Sequence, residues 1–205
     1  MSACANEFQA VSDTLYTWSF YDPAIKCQMD CTALKVNSGW VVIDPAPLAE
    51  AAWNELLALG SLRAILLTNG NHVRDAVALR ERHEVPVVTA PATRREITEV
   101  KLDVTLLPNE RLYGITPIAI PGATAGETAF YSQTGVMIIG DAVIHLSAEN
   151  GLELLPDKYC VDAEQNRASL RKLLAFDFHT LTFAHGAPVT TRAKEKLDAL
   201  LNHSS

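Results

Sequence analysis

The sequence predicts an α/β (α+β) fold in which two β-rich halves, each closed by helices, pack sheet against sheet as a four-layer αββα sandwich. Three observations carry this expectation. Strand and helix patterns alternate between residues 40 and 89. Short strands joined by tight turns fill residues 104–139. Helical periodicity then returns at residues 165–176 and again after residue 190. With 205 residues, 48% of them hydrophobic, the chain can build a sizeable core, and we expect a single domain over residues 1–205.

Taken in order, strand-like stretches open the chain at residues 14–19 and 32–36. Asn37-Ser38-Gly39 reads as a hairpin turn, because Asn and Gly accept positive φ cheaply. Trp40-Val41-Val42-Ile43 is an unbroken apolar run ending at Asp44 and Pro45, the pattern of a strand buried on both faces. Leu48, Ala51, Ala52, Leu56 and Leu59 recur at helical spacing, and Gly60 stands where a C-terminal cap is wanted. A strand at 64–68 leads into the polar turn Asn69-Gly70-Asn71. A helix is expected to begin there and run to His83, with Asn71 as its N-cap and Asp75 in its first turn. Residues 86–89 form the next strand.

The second half reads as strands at 104–107, 115–120, 128–131 and 136–139, with Thr134-Gly135 turning one hairpin. Leu170, Leu173 and Leu174 give residues 165–176 an apolar helical face. A late strand at 181–184 stops at His185-Gly186. Thr190 or Thr191 then caps a final helix carrying Ala193, Leu197, Leu200 and Leu201.

Charge narrows the function. A net charge of −7, a pI of about 5.3 and the lack of any Lys/Arg run argue against nucleic-acid or anionic-membrane partners. No apolar run is long enough to span a bilayer, and the first residues lack the basic and apolar regions of a signal peptide. A cytoplasmic location is the expectation. Cys4, Cys27, Cys31 and Cys160 match no paired zinc-finger spacing and read as buried or idle thiols, with a redox or metal role for Cys27 and Cys31 left open.

Four fragments, in order, resemble the metallo-β-lactamase superfamily. Val41-Val42-Ile43-Asp44 resembles its strand ending in aspartate. Leu66-Leu67-Thr68-Asn69-Gly70-Asn71-His72-Val73-Arg74-Asp75 falls at the place of its Thr-His-x-His-x-Asp-His signature. Pro121-Gly122-Ala123-Thr124, followed by Ile139-Gly140-Asp141-Ala142, resembles its Pro-Gly-His-Thr segment and Gly-Asp strand end. Phe183-Ala184-His185-Gly186 resembles its last histidine before glycine. The resemblance implies the αββα fold, with Asp44, Thr68, Asp141 and His185 along one rim.

It also implies that most of the family's two-metal site is gone. Carried over by position, the histidines are Asn69, Asn71, Arg74 and Ala123 here, and an aspartate is Val73. Asp141 and His185 alone remain. Asparagine exchanges an imidazole for a neutral amide, alanine and valine offer nothing, and arginine stays protonated and repels a cation. The resulting expectation is a cleft of Asn69, Asn71, His72, Arg74, Asp75, Ala123, Asp141 and His185 with no dinuclear centre and no cofactor, in a non-catalytic or small-ligand-binding protein. The alternative is a hydrolase with one zinc, iron or manganese ion on Asp141, His185 and an improvised ligand, His72 or Glu127. Arg74 is expected to fill the vacated cation position and pair with Asp141. His145 is a further residue that could approach the cleft. His83, His179 and His203 belong to no constellation.

Overall fold

The computed structural model describes residues 4–37 and 39–203. Ser38, in the middle of the expected Asn37–Gly39 turn, lies outside them.

The first sheet has seven strands in sequence order: β1 (Gln9–Ser12), β2 (Leu15–Asp22), β3 (Cys27–Val36), β4 (Gly39–Ile43), β5 (Leu62–Leu66), β6 (Val87–Thr89) and β7 (Val104–Thr105). Pairing is antiparallel from β1 to β4 and parallel from β4 to β7. Helices α1 (Glu50–Ala58), α2 (Ala76–His83) and α3 (Pro91–Arg94) lie between the later strands. The second sheet has the order β13 (Thr180–Phe183), β10 (Val136–Ile139), β9 (Thr128–Ser132) and β8 (Ile115–Ala119), with α4 (Ala163–Arg171) and α5 (Ala193–His203) packed on it. A short ribbon of β11 (Val143–Ile144) and β12 (Glu153–Leu154) follows β10.

Three separate apolar cores make the four layers. Successive side chains of a strand point to opposite faces, so Trp40, Val42 and Ile65 pack outward against Trp53 and Leu56 of α1 and Leu79 of α2. Their neighbours Val41, Ile43, Ala64 and Leu66 point inward and meet Ile115, Phe130, Val136 and Ile138 of the second sheet. Met137 and Ile139 face the other way, onto Leu170, Leu173, Leu197 and Leu201. The unbroken apolar run at residues 40–43 therefore feeds two cores at once.

The structure departs from the sequence expectation at the second helix. A single tight turn, Gly70–His72, comes first, and α2 starts only at Ala76. Asn71 does not cap it; its backbone N–H donates to Asn69 Oδ1 at 2.9 Å and its side chain is exposed. Arg74 at φ 41° breaks the helix between the two pieces. Likewise α1 is capped by Leu59 rather than Gly60, and the last helix begins at Ala193. The short elements β1, α3, β11 and β12 carry too few residues for periodicity to reveal them.

Candidate metal centre

The rim is assembled from the ends of β3, β4, β5, β10 and β13. Asp44 follows β4 at φ 51°, a left-handed conformation that aspartate tolerates better than most residues. That turn aims its carboxylate at Thr68, whose N–H and hydroxyl both donate to it, at 2.9 and 2.6 Å. Thr68 Oγ1 and Asp44 Oδ2 in turn receive His72 Nδ1, at 2.8 and 3.1 Å. The Thr68 proton is already committed to Asp44, so Nδ1 of His72 must be the donor in this trio.

His72 is thereby carried into the cleft, buried to 1% exposure. Its Nε2 lies 3.1 Å from Asp141 Oδ1, at ion-pair distance, and this buried nitrogen makes no further hydrogen bond. His185 approaches the same oxygen from β13, Nε2 to Oδ1 at 3.2 Å. Its Nδ1 sits 2.6 Å from the Gln28 carbonyl. A carbonyl only accepts, so Nδ1 carries the proton and Nε2 presents its lone pair. Two imidazole nitrogens and a carboxylate oxygen thus face one another, all within 4.8 Å. Such a grouping is held together by a proton on a ring or by a metal cation among the three. Among the described residues, it is the one cluster of three His, Cys, Asp or Glu side chains able to hold a metal.

The remaining carboxylates are held by donors. Asn69 Nδ2 bridges Glu127 Oε2 and Asp141 Oδ2, at 2.7 and 2.9 Å. Glu127 also accepts from the Asp141 N–H at 2.8 Å and from Thr124 Oγ1 at 2.7 Å. Gly140 is required here: a Cβ would stand 2.5 Å from both Glu127 Oε1 and Thr68 Oγ1. Burial, and then the Asp141 charge, push Glu127 up to about 7. Burial would raise Asp141 too, but His72 and His185 outweigh it and hold that carboxyl well below the usual range. For His72, burial and Arg74 oppose protonation, while Asp44 and Asp141 more than compensate and take it to about 9.

Arg74 does not pair with Asp141. Its guanidinium donates to three carbonyls, Asp30 at 2.8 Å, Asp44 at 3.0 Å and Ala184 at 3.2 Å. Asp141 is already surrounded by the nitrogens of Asn69, His72 and His185, which leaves that place taken. Ala123 is fully buried in the second-sheet core and offers no donor atom. Asp75 occupies the N-cap position of α2 without a side-chain cap bond, and burial raises its carboxyl. His145 turns away from the rim to Ala187 O at 2.7 Å. Cys27 lies beside His185 Nδ1 at 3.3 Å, whereas Cys31 is buried four residues further along the same strand, roughly 13 Å away at the usual strand rise. The two thiols therefore form no pair.

Sequence reasoning missed Asp30. This buried carboxylate accepts from Gly186 N at 2.7 Å and from the Ser19 hydroxyl, and so orders the turn after His185. An aspartate inside the strand-forming run 27–34 was the available signal.

Two facing sheets clad in helices, with imidazoles and carboxylates at the strand ends, define a fold whose rim gathers side chains able to hold a metal. The chain belongs to the metallo-beta-lactamase superfamily, whose family model matches residues 10–203. Among solved structures, the DIM-1 metallo-beta-lactamase superposes with a TM-score of 0.75 over 100% of both chains at 13% identity. The FIM-1 enzyme from Pseudomonas aeruginosa, in its mono-zinc form, gives 0.71 at 12% identity, covering 99% of this chain and 97% of that one. TTHA1623 in a di-iron-bound form gives 0.60 at 27% identity, over 80% of this chain and 90% of that one. No curated protein matches.

Proposed function

We propose that the chain is a single-metal hydrolase whose one divalent ion sits on His72 Nε2, Asp141 Oδ1 and His185 Nε2. The observation that carries this reading is the convergence of the buried His72 Nε2 and of His185 Nε2 on one carboxylate oxygen of Asp141. Both rings have their other nitrogen engaged by an oxygen, the arrangement that fixes tautomer and orientation in metal-bound histidine. Two imidazoles and a carboxylate suit zinc, iron or manganese. The mono-zinc and di-iron forms of the two structural relatives support a metal in this fold. Replacement of five ligand positions argues against a second ion.

The protein's own residues do the positioning. Asp44 and Thr68 hold His72, the Gln28 carbonyl holds His185, and Asn69 occupies the second oxygen of Asp141. His72, Asp141 and His185 would hold the ion, and an ion held by three protein ligands would lower the pKa of a water at the site. His185, with 17% side-chain exposure against 2% for His72, is the ligand nearest solvent.

Metal analysis of purified protein tests the proposal. About one equivalent of zinc, iron or manganese is expected, absent in His72→Ala and in Asp141→Ala. Hydrolysis of chromogenic esters, thioesters or β-lactams should stop with chelator and return with zinc. Zero equivalents after incubation with each ion would sink the metal site. It would leave the non-catalytic reading, in which protons stand in for the ion.

A further inference from the structure

His185 stands beyond the last rung of its own sheet. The pairing of β13 with β10 ends at Phe183, and the Ala184 N–H makes the final bond, to Ile139 O at 3.1 Å. On one side the chain is met by His145 N, which donates to His185 O at 3.1 Å. On the other it is held by β3, a strand of the opposite sheet. The Gln28 carbonyl accepts His185 Nδ1 at 2.6 Å. Two residues further, Asp30 grips the chain both before and after the histidine. Its N–H donates to Ala184 O at 2.8 Å, and its Oδ2 accepts from Gly186 N at 2.7 Å. Gly186, at φ 118°, has no room for a side chain, since a Cβ would stand 2.1 Å from His145 O. The buried Asp30 carboxylate also takes the Ser19 hydroxyl and, at 3.3 Å, Gln28 Nε2 on its other oxygen. A carboxylate, which only accepts, suits all three donors at once.

We propose that Asp30 is a positioning residue: it sets the place of the His185 imidazole and, on the single-metal reading of the site, the retention of the ion. It acts through the Gly186 peptide rather than by ligating. Groups one step removed from a metal ligand typically govern affinity by about 10–100-fold. Here the group lies on the first sheet and the ligand it orients follows a strand of the second, so the register of β3 against β13 is read out at the metal centre.

Three variants separate positioning from stability. Asp30→Ala leaves the Gly186 N–H without its acceptor. Asp30→Asn keeps an oxygen for it and turns its amide to the Ser19 hydroxyl, which can rotate to accept. Ser19→Ala removes a bond on the far side of the carboxylate and leaves the Gly186 contact in place. Zinc is titrated against a chromogenic chelator, and cobalt(II) is followed by its visible absorption. We expect binding about tenfold weaker or more in Asp30→Ala, with an altered cobalt spectrum. Asp30→Asn should restore near-parent affinity, and Ser19→Ala should keep it even where its melting temperature falls. In metal-free protein at alkaline pH, where an ordinary imidazole is neutral, nitrogen NMR reads the His185 tautomer. The proton should stay on Nδ1 in the parent and in Asp30→Asn, and exchange between the two nitrogens in Asp30→Ala. Should Asp30→Ala not fold, Asp30→Thr takes its place, a strand former whose hydroxyl is one bond too short for Gly186 N. Parent affinity in Asp30→Ala, an equal loss in either of the other two variants, or an unchanged His185 tautomer would each overturn the proposal. If the parent takes up no metal, the single-metal reading fails, and the tautomer alone decides the role of Asp30.

Discussion

Arg74 stands where the family has a histidine ligand, and Coulomb attraction alone would send its charge to Asp141. Its backbone decides otherwise. At φ 41° the residue leaves the tight turn in a direction that carries the guanidinium to the carbonyls of Asp30, Asp44 and Ala184. Charged donors to neutral acceptors contribute more than ordinary hydrogen bonds, so Arg74→Ala should destabilise the fold by about 3 kcal/mol. Urea titration measures this, and a loss under about 0.5 kcal/mol, the level of an ordinary surface substitution, would show the three bonds to be incidental. Glu127 makes a second case. Its two oxygens accept from the backbone of Asp141 and Ala142 and from Asn69 and Thr124. Glu127→Gln turns a donor toward donors and should cost about 2 kcal/mol, together with weaker metal retention than the parent shows. Unaltered stability in that variant would mean the network reorganises freely.

Among the elements, α2 is joined to β7 by Arg80 and Asp103, whose carboxylate accepts Nε and Nη2 at 2.9 Å each. The Arg80 bond, against the opposing effect of burial and with help from the Val87 N–H, holds Asp103 well below the usual carboxylate range. A depressed folded-state pKa stabilises above the unfolded value, about 3.9, and that stability is lost as pH falls through the folded one. Asp103→Asn should therefore lower stability at neutral pH, where that contribution is fully present, and flatten the acid limb of the stability curve below about pH 4. An identical acid limb in the variant would discount the pair.

The long elements were legible because burial on two faces or one leaves a period in the sequence, as at Trp40–Ile43 and at Leu170, Leu173 and Leu174. The start of α2 was not. Asn71 looks like an N-cap by composition, but the turn is closed two residues earlier, by the Asn69 side chain. That shift in capping carries His72 inward. Local spacing placed His72 beside a ligand position, and only the closed turn, held by Asp44 and Thr68, brings its imidazole to Asp141. Asp141 and His185 were readable because each ends a strand before or after a glycine that the packing requires.

At the scale of the molecule, the proposed ion would join the two halves, since His72 belongs to the first and Asp141 and His185 to the second. Free metal at a hundredfold excess over Kd adds about 2.7 kcal/mol to a folded state that alone binds it. In a chain of this length that is a rise of roughly 5–10 °C in melting temperature. Calorimetry with and without chelator should show it in the parent and not in Asp141→Ala; equal shifts in both would place the metal elsewhere. Yet the halves do not depend on the ion for their junction. The Arg74 guanidinium already ties the ends of β3 and β4 to the segment after β13, and Asp30 N bonds the same Ala184 carbonyl at 2.8 Å. Metal-free protein should accordingly keep its circular dichroism. A chain fastened by its own arginine can finish folding before any ion arrives, so in a cell its abundance would follow its synthesis rather than the supply of metal.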